Sequence, residues 1–262
     1  MLHRKKVTQM KNLLITAFGI ASYLVGMGGL TYFILFLGSW DFLPVHINST
    51  SPGPLGTALL VNVGLLLLFG LQHSVTARPA FKDALTRVIP AAAERSTYVL
   101  LSGIMMLLFS FYWLPIAGDV WRVESGLLYT LLLAGHIAGW VIAVIATFLI
   151  NHFELFGLQQ VYLNFRGRPE PPESFTDRGL YKLVRHPLQL GILIGIWCVP
   201  IMTMTHLMLA VGMTIYIFIG LYYEEQDLAK VLGPDYQDYQ KRVRKIVPLP
   251  VFNDDRSRPL RL

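Results

Sequence analysis

The sequence predicts an all-α integral membrane protein, a polytopic helical bundle, and three observations lead to this class. Of the 262 residues, 54% are hydrophobic and only 15% are charged, whereas soluble domains carry roughly a quarter charged residues. Four apolar stretches are each long enough to cross a bilayer, for which about 20 residues are needed. Basic residues collect between alternate stretches. Together these observations exclude a soluble enzyme.

The four predicted spans cover residues 13–37, 55–72, 97–117 and 126–150. A fifth apolar region, residues 188–223, is too long for one crossing and is interrupted by Pro200 and by polar residues at Thr203, Thr205 and His206. We therefore expect two short helices folded into a C-terminal hairpin, which makes five or six transmembrane helices. Residues 151–165 and 221–247 are predicted to form helices that cover the cytoplasmic mouth of the bundle.

The basic residues predict the orientation of these spans. A model with six crossings places 21 of the 22 Lys and Arg residues on one side of the membrane, and only Arg122 on the other. Because basic loops stay in the cytoplasm, both termini are expected there, in a multi-pass protein of a bacterial inner membrane. Membrane insertion thus accounts for the net charge of +6, and nucleic acid is not an expected partner. No obligate protein partner is evident either.

A single cysteine, Cys198, excludes an internal disulfide and a cysteine-based metal site. No metal centre is expected.

The segment FTDRGLYKLVRHPLQLG, residues 175–191, is the strongest candidate for a functional motif. Its His-Pro pair is typical of the start of a helix, so His186 is expected to face a ligand at that helix end. Gly191, one turn further, would let a ligand approach the backbone. The alternative interpretation is that Arg185 and His186 only anchor the chain at the membrane interface.

Two adjacent carboxylates, Glu224 and Glu225, follow the last apolar stretch. At this depth they cost free energy unless they meet a cation, either Arg185 or a positively charged ligand. The alternative is a solvated helix segment just outside the membrane.

Together, RHPLQLG at 185–191 and YYEEQDLAKVLGPDYQDYQKRV at 222–243 resemble the isoprenylcysteine carboxyl methyltransferase-like and NnrU-like family. That resemblance implies an enzyme that uses S-adenosylmethionine inside the membrane. The cofactor-binding residues that it implies are Phe175, Thr176, Tyr181, His186, Pro187, Gly191, Glu224, Glu225, Tyr239 and Arg242. We expect one membrane domain, residues 1–262, with a four-span bundle at 1–150, a cofactor-binding catalytic core at 151–250 and a tail at 251–262.

Two departures bear on the substrate. Gln189 stands where the family often has an aromatic residue, and Gly220 lies near the position of an arginine that holds the carboxylate of prenylcysteine. A prenylcysteine substrate is therefore not favoured.

Further segments are similar to the branch of this family that methylates methanethiol to dimethyl sulfide: NHFELFGLQQVY at 151–162, QHS at 72–74 and ERSTY at 94–98. In this reading His152 and Glu154 lie at the cytoplasmic mouth, where they could bind or deprotonate a small thiol, and Tyr181 joins them as a catalytic candidate. The alternative is that His152 only caps a helix end with Asn151. Whether the pairs Gln72/His73 and Glu94/Arg95 are catalytic or structural stays open.

Other functions are kept as alternatives. A methyltransferase of this kind could act on a lipid or another thiol. From a different class, a transport protein or a haem protein is conceivable, with His73 and His136 as axial ligands.

Overall fold

A computed structural model of the chain describes residues 2–49, 51–171 and 176–248. Ten α-helices lie within these residues: α1 (Leu2–Leu37), α2 (Leu55–Thr76), α3 (Pro79–Thr86), α4 (Glu94–Tyr112), α5 (Gly126–Ile150), α6 (His152–Leu155), α7 (Leu158–Arg166), α8 (Pro187–Trp197), α9 (Met204–Leu232) and α10 (Pro234–Arg242). Two short strands, β1 (Asp119–Arg122) and β2 (Ile201–Thr203), and two 3₁₀ turns, Ala91–Ala93 and Gly179–Lys182, complete the described elements. The predicted tail at 251–262 lies outside the described residues.

Five of these helices, α1, α2, α4, α5 and α9, are long and apolar enough to cross a membrane. Large apolar side chains such as Leu60 and Leu127, each 76% exposed, point away from the protein, as expected of residues that face lipid. The prediction of an all-α, polytopic membrane bundle is confirmed, and so are its four N-terminal spans. The protein is an integral membrane protein.

The C-terminal hairpin differs from the prediction of two short helices. α8 is short, with 11 residues, but α9 runs without a break for 29 residues, well beyond the apolar region. The residues between them are extended, and β2 pairs antiparallel with β1. At roughly 1.5 Å per residue α8 is only about 16 Å long, so an extended segment completes this crossing. Its backbone groups bond to other parts of the chain, including Pro200 O to Val123 N at 3.0 Å.

Glycines bring two pairs of helices into close contact. In the α1–α4 pair, Gly29 faces the backbone of Gly103, and in the α5–α8 pair, Gly139 faces Gly191 and Gly195. Such contacts are typical of membrane helices, because association there depends on close packing.

The main hydrophobic core draws side chains from α1, α2, α4, α5, α8 and α9, and it extends to the end of the bundle that carries β1 and β2. Polar groups close this end, since the Asn62 side chain bonds to both the N–H and the carbonyl of Leu114 at 2.8 Å. The opposite end is called here the terminal face, because α1 begins there and α10 lies there. Asn12 of α1 contacts Asn164 of α7 at this face, and the segment after α10 pairs with the start of α8.

Candidate active site

A turn at the terminal face leads into α8 and contains the predicted His-Pro motif. Pro187 occupies the first position of α8, where a missing N–H costs nothing. Residues after α10 hold the turn, because Arg185 N donates to Arg244 O at 2.8 Å and His186 N donates to Lys245 O at 3.1 Å. The C-terminal segment is therefore part of the structure that positions the motif.

A buried cluster surrounds Glu225 on α9, and we call it the Glu225 cluster. The Arg185 guanidinium pairs with both carboxylate oxygens, Nε to Oε1 at 2.9 Å and Nη2 to Oε2 at 2.6 Å. His186 Nε2 and the Tyr236 hydroxyl also contact Oε1, at 2.6 and 2.9 Å, and Gln240 Nε2 donates to Oε2 at 2.8 Å. Both oxygens of the Glu225 carboxylate are therefore hydrogen-bonded to protein groups. Glu225 thus joins α9, α10 and the His-Pro turn.

Glu224 has a different environment, because one step along a helix turns a side chain by about 100°. No ion pair or hydrogen bond involves its carboxylate among the residues that the structure describes. Its side chain is exposed, so its carboxylate borders open space. Its charge acts on Tyr98 of α4 and on Tyr181 of the second 3₁₀ turn. The open space beside Glu224 therefore lies near both α4 and the second 3₁₀ turn.

Tyr181 is buried beside this space. Its hydroxyl donates to Ala146 O at 3.4 Å, and its carbonyl accepts a short hydrogen bond from the Tyr239 hydroxyl. Burial raises the pKa of Tyr181, and the Glu224 carboxylate raises it further. The phenol thus stays protonated at neutral pH and acts as a hydrogen-bond donor.

His152 lies between α1 and α5. The Thr147 hydroxyl donates to Val144 O, so it accepts from His152 Nδ1–H at 2.9 Å, and His152 Nε2 accepts from the Tyr23 hydroxyl at 3.0 Å. Burial lowers the pKa of His152, which keeps the ring neutral.

Glu154 accepts a hydrogen bond from the Asn151 side chain at 2.9 Å, and Asn151 also caps α6. It is Asn151 and not His152 that forms the cap. The polar residues predicted at this mouth are thus brought together with Tyr23, which sequence reasoning did not single out.

The remaining predicted cofactor residues have varied settings. Gly191 packs against α5, where an added Cβ would lie 2.5 Å from Gly139 O, so its role here is helix packing and not approach to an open cavity. Arg242 is exposed on α10, and the Thr176 hydroxyl accepts from Arg178 N at 3.4 Å. Phe175 lies outside the described residues.

The pairs Gln72/His73 and Glu94/Arg95, whose role the sequence left open, also contact other residues. Gln72 donates to the Thr76 hydroxyl at 3.2 Å, and Glu94 lies 4.0 Å from Lys82. Arg95 Nε donates to Leu155 O at 2.8 Å and so links α4 to α6.

The two histidines considered as haem ligands lie at different depths. His136 is 14 residues, roughly 21 Å, from the end of α5 at the terminal face, whereas His73 is three residues, roughly 5 Å, from the corresponding end of α2. His136 Nδ1 is also bonded to Gly195 O at 2.6 Å. These positions do not suit a pair of axial ligands on one haem.

Comparison with known proteins adds to this geometry. Residues 88–243 match a family model described as a protein of unknown function, DUF1295. The chain is 44% identical to methanethiol S-methyltransferase 2 of Bradyrhizobium diazoefficiens over 94% of this chain and 96% of the relative. It is 42% identical to methanethiol S-methyltransferase of Mycobacterium tuberculosis, over 92% and 98%, and 46% identical to that of Pseudomonas sp. strain GM41(2012), over 90% and 85%.

The chain belongs to the methanethiol S-methyltransferase family. The DUF1295 match covers the His-Pro turn, both glutamates and α10 up to Arg242. No solved structure gives a significant match to this chain.

Proposed function

We propose that this protein transfers the methyl group of S-adenosylmethionine to methanethiol and so makes dimethyl sulfide within the membrane. One observation carries the proposal: in a chain whose relatives are named methanethiol S-methyltransferases, the Glu224 carboxylate lies beside the His-Pro turn and forms no ion pair or hydrogen bond with the residues that the structure describes. This carboxylate is costly at such a position unless a cation meets it.

S-adenosylmethionine supplies an electrophilic methyl group on a sulfonium sulfur. It also carries an ammonium group, so it offers two positive charges that suit Glu224. Tyr181, kept protonated by burial, offers a phenol beside the same space. Arg242, exposed on α10, offers a positive charge to the carboxylate of the methionyl group.

The Glu225 cluster holds these groups in place. It joins Arg185, His186 and α10, so it fixes the His-Pro turn relative to Glu224. In this proposal Glu225 and Tyr239 position the cofactor residues, and His186, Pro187 and Thr176 form the wall around the adenosyl group.

The substrate is a small, neutral thiol. A Cβ at Gly220, one turn before Glu224, would have no protein atom within 4 Å, so the position near which the family's arginine stands is open here. Without that arginine, the proposed site gives a carboxylate-bearing prenylcysteine no advantage over a neutral thiol. Methanethiol dissolves in the bilayer, and a dry site strengthens the attraction between a thiolate and a sulfonium.

The catalytic roles of His152 and Glu154 stay predictions. Both nitrogens of His152 have protein partners, and the Glu154 carboxylate is bonded to Asn151. We assign them the shaping of the mouth beside the thiol.

Binding of the methyl donor tests the site. Calorimetric titration of the purified protein with S-adenosylmethionine should show that Glu224→Gln weakens affinity about tenfold or more, since a charge-assisted hydrogen bond contributes about 1.5–3 kcal/mol. His186→Ala should weaken it as well. Asp238→Asn, which removes an exposed carboxylate on α10, is the matched control and should bind normally. Affinity of Glu224→Gln within twofold of the wild type would contradict the assignment.

Turnover tests the substrate. With methyl-labelled S-adenosylmethionine we expect methanethiol and ethanethiol to be methylated, with dimethyl sulfide as the product from methanethiol. A farnesylcysteine analogue should not be methylated. Efficient turnover of the farnesyl compound, with none of methanethiol, would contradict the proposed substrate.

A further inference from the structure

A second group of polar side chains lies near Glu224, on α2 and α4. His73 Nε2 lies 2.7 Å from the Tyr98 hydroxyl, and His73 Nδ1 lies 3.2 Å from the Ser102 hydroxyl. Phe69 stacks on the imidazole, with ring centroids 5.1 Å apart. We call Tyr98, His73 and Ser102 the His73 triad.

The shortest contact of the Tyr98 hydroxyl is with His73 Nε2, 2.7 Å against 3.2 Å to Nδ1, and it suits one tautomer of the imidazole. A neutral imidazole has one N–H and one lone pair, and a phenol donates readily. With the Tyr98 hydroxyl donating to Nε2, the imidazole N–H is on Nδ1 and faces Ser102. The Nε2 lone pair of His73 can therefore receive the phenol proton.

The triad also borders the space that Glu224 faces. Tyr98, His73 and Ser102 all keep some open surface, although they lie inside the bundle. The Glu224 charge acts on the Tyr98 phenol, and the Arg95 guanidinium lies over the Tyr98 ring, 5.0 Å from its centroid. A small molecule next to Glu224 is thus in reach of a phenol that is already bonded to a base.

We infer that Tyr98 is the catalytic residue that meets the thiol and that His73, acting through Tyr98, is the proton acceptor of methyl transfer. This inference rests on the proposed function. The thiol proton passes to the Tyr98 oxygen while the Tyr98 proton passes to His73 Nε2. The thiol sulfur uses its electron pair to bond the methyl carbon, and the bond from that carbon to the sulfonium breaks, leaving its pair on the donor sulfur. The products are dimethyl sulfide, S-adenosylhomocysteine and an imidazolium at His73.

This route leaves the net charge of the site unchanged. A positive charge disappears from the sulfonium and another forms on His73, so Glu224 always has a cation near it. The face of Phe69 stabilises an imidazolium. Arg95 repels it, which favours release of the proton after turnover.

His152 and Tyr23 form a similar pair, but its surroundings differ. His152 is 8% exposed, with Phe148 stacked on it at 4.2 Å and Phe156 at 4.7 Å. Aromatic rings thus occupy the space that a thiol would need. The open surface of the His73 triad favours it as the acceptor.

Two thiols of similar size and different acidity test the inference. Ethanethiol needs a base, whereas 2,2,2-trifluoroethanethiol is far more acidic and ionises without one. We expect Tyr98→Phe and His73→Gln to lower kcat for ethanethiol about 100-fold or more, with a much smaller loss for the trifluoro compound. Both variants should bind S-adenosylmethionine normally. Tyr216→Phe is the matched control, because it removes a tyrosine hydroxyl that bonds to Ser74 and keeps the ring, and it should keep its activity toward both thiols.

The outcomes separate this inference from the proposed function. Equal losses with both thiols would assign the triad a structural role and overturn the inference. So would a loss that depends on thiol acidity in His152→Gln and is absent from His73→Gln. If the wild type binds no S-adenosylmethionine, the proposed function fails, whatever the variants do.

Discussion

At the scale of single residues, two adjacent glutamates have separate tasks. Glu225 is enclosed by Arg185, His186, Tyr236 and Gln240, whereas the Glu224 side chain is exposed. A turn of about 100° between neighbours on α9 separates an organising carboxylate from one available to a ligand.

Glu225→Gln should destabilise the protein strongly. The change removes the negative charge that Arg185 meets in a site where both side chains are under 10% exposed, and loss of one partner of a buried pair costs about 3–5 kcal/mol. The apparent melting temperature in detergent should fall by about 5 °C or more. Asp238→Asn, which breaks an exposed pair with Lys241, should leave it nearly unchanged. Equal melting temperatures for the two variants would contradict the anchoring role.

His152 should make stability depend on pH. Burial lowers its pKa in the fold below the ordinary value of 6.5, so the unfolded chain takes up a proton at a higher pH than the folded one. The contribution of His152 to the free energy of unfolding is fully present above about pH 7. It is lost as the pH falls through 6.5 toward the pKa of the folded state. Between pH 7.5 and 5.5 the melting temperature of the wild type should therefore fall more steeply than that of His152→Gln. The same dependence of melting temperature on pH in both proteins would exclude a contribution from His152.

At the scale of elements, the α5–α8 pair supports the site. α8 carries the His-Pro turn at its start, and its glycines allow its backbone to lie directly against α5. A shift of α8 would therefore move His186 relative to α9.

Gly191→Ala tests this coupling. The added Cβ would meet Gly139 O and Ala143 N at 2.5 and 2.6 Å, and these are backbone atoms that cannot rotate away. We expect a loss of about 1–3 kcal/mol in stability and weaker binding of S-adenosylmethionine. Gly64→Ala on α2, where a Cβ meets no protein atom within 4 Å, is the control and should be neutral or slightly stabilising. Wild-type melting and affinity in Gly191→Ala would show that the contact is not tight.

At the scale of the whole molecule, the terminal face carries the site, the start of α1 and α10, and the opposite end carries β1 and β2. S-adenosylmethionine is a charged solute of the cytoplasm, so the proposed function requires the terminal face to open there. This agrees with the orientation that the basic residues predict.

Reporter fusions test that orientation. A fusion after residue 262 should report the cytoplasm, and one in the loop of residues 40–54 should report the other side. The basic residues on the terminal side, 21 of 22 in the six-crossing model, are the physical reason. Identical signals from both positions would mean that the number of crossings between them is even or that the orientation is mixed.

Much of this protein was predictable from the sequence by itself. Hydropathy depends on local composition, so α2 and α5 were found with nearly correct bounds, and the His-Pro motif indicated the start of α8 correctly. The break near Pro200 was also predicted, since α8 ends at Trp197 and α9 begins at Met204. The length of α9 was missed, because the change from apolar to charged residues near Leu221 looks like the end of one helix and the start of another.

Only the tertiary structure decided which residues meet. The sequence left Arg185 or a ligand as possible partners of both glutamates, and the fold pairs Arg185 with Glu225 across 40 positions. Gly191 was expected to meet a ligand and meets α5 instead. Tyr98 and His73 are 25 positions apart on different helices, and their bond appears only when α2 and α4 pack together. Local patterns determine helices and depth in the membrane, whereas contacts depend on the rotation and pairing of helices, which packing of distant side chains decides.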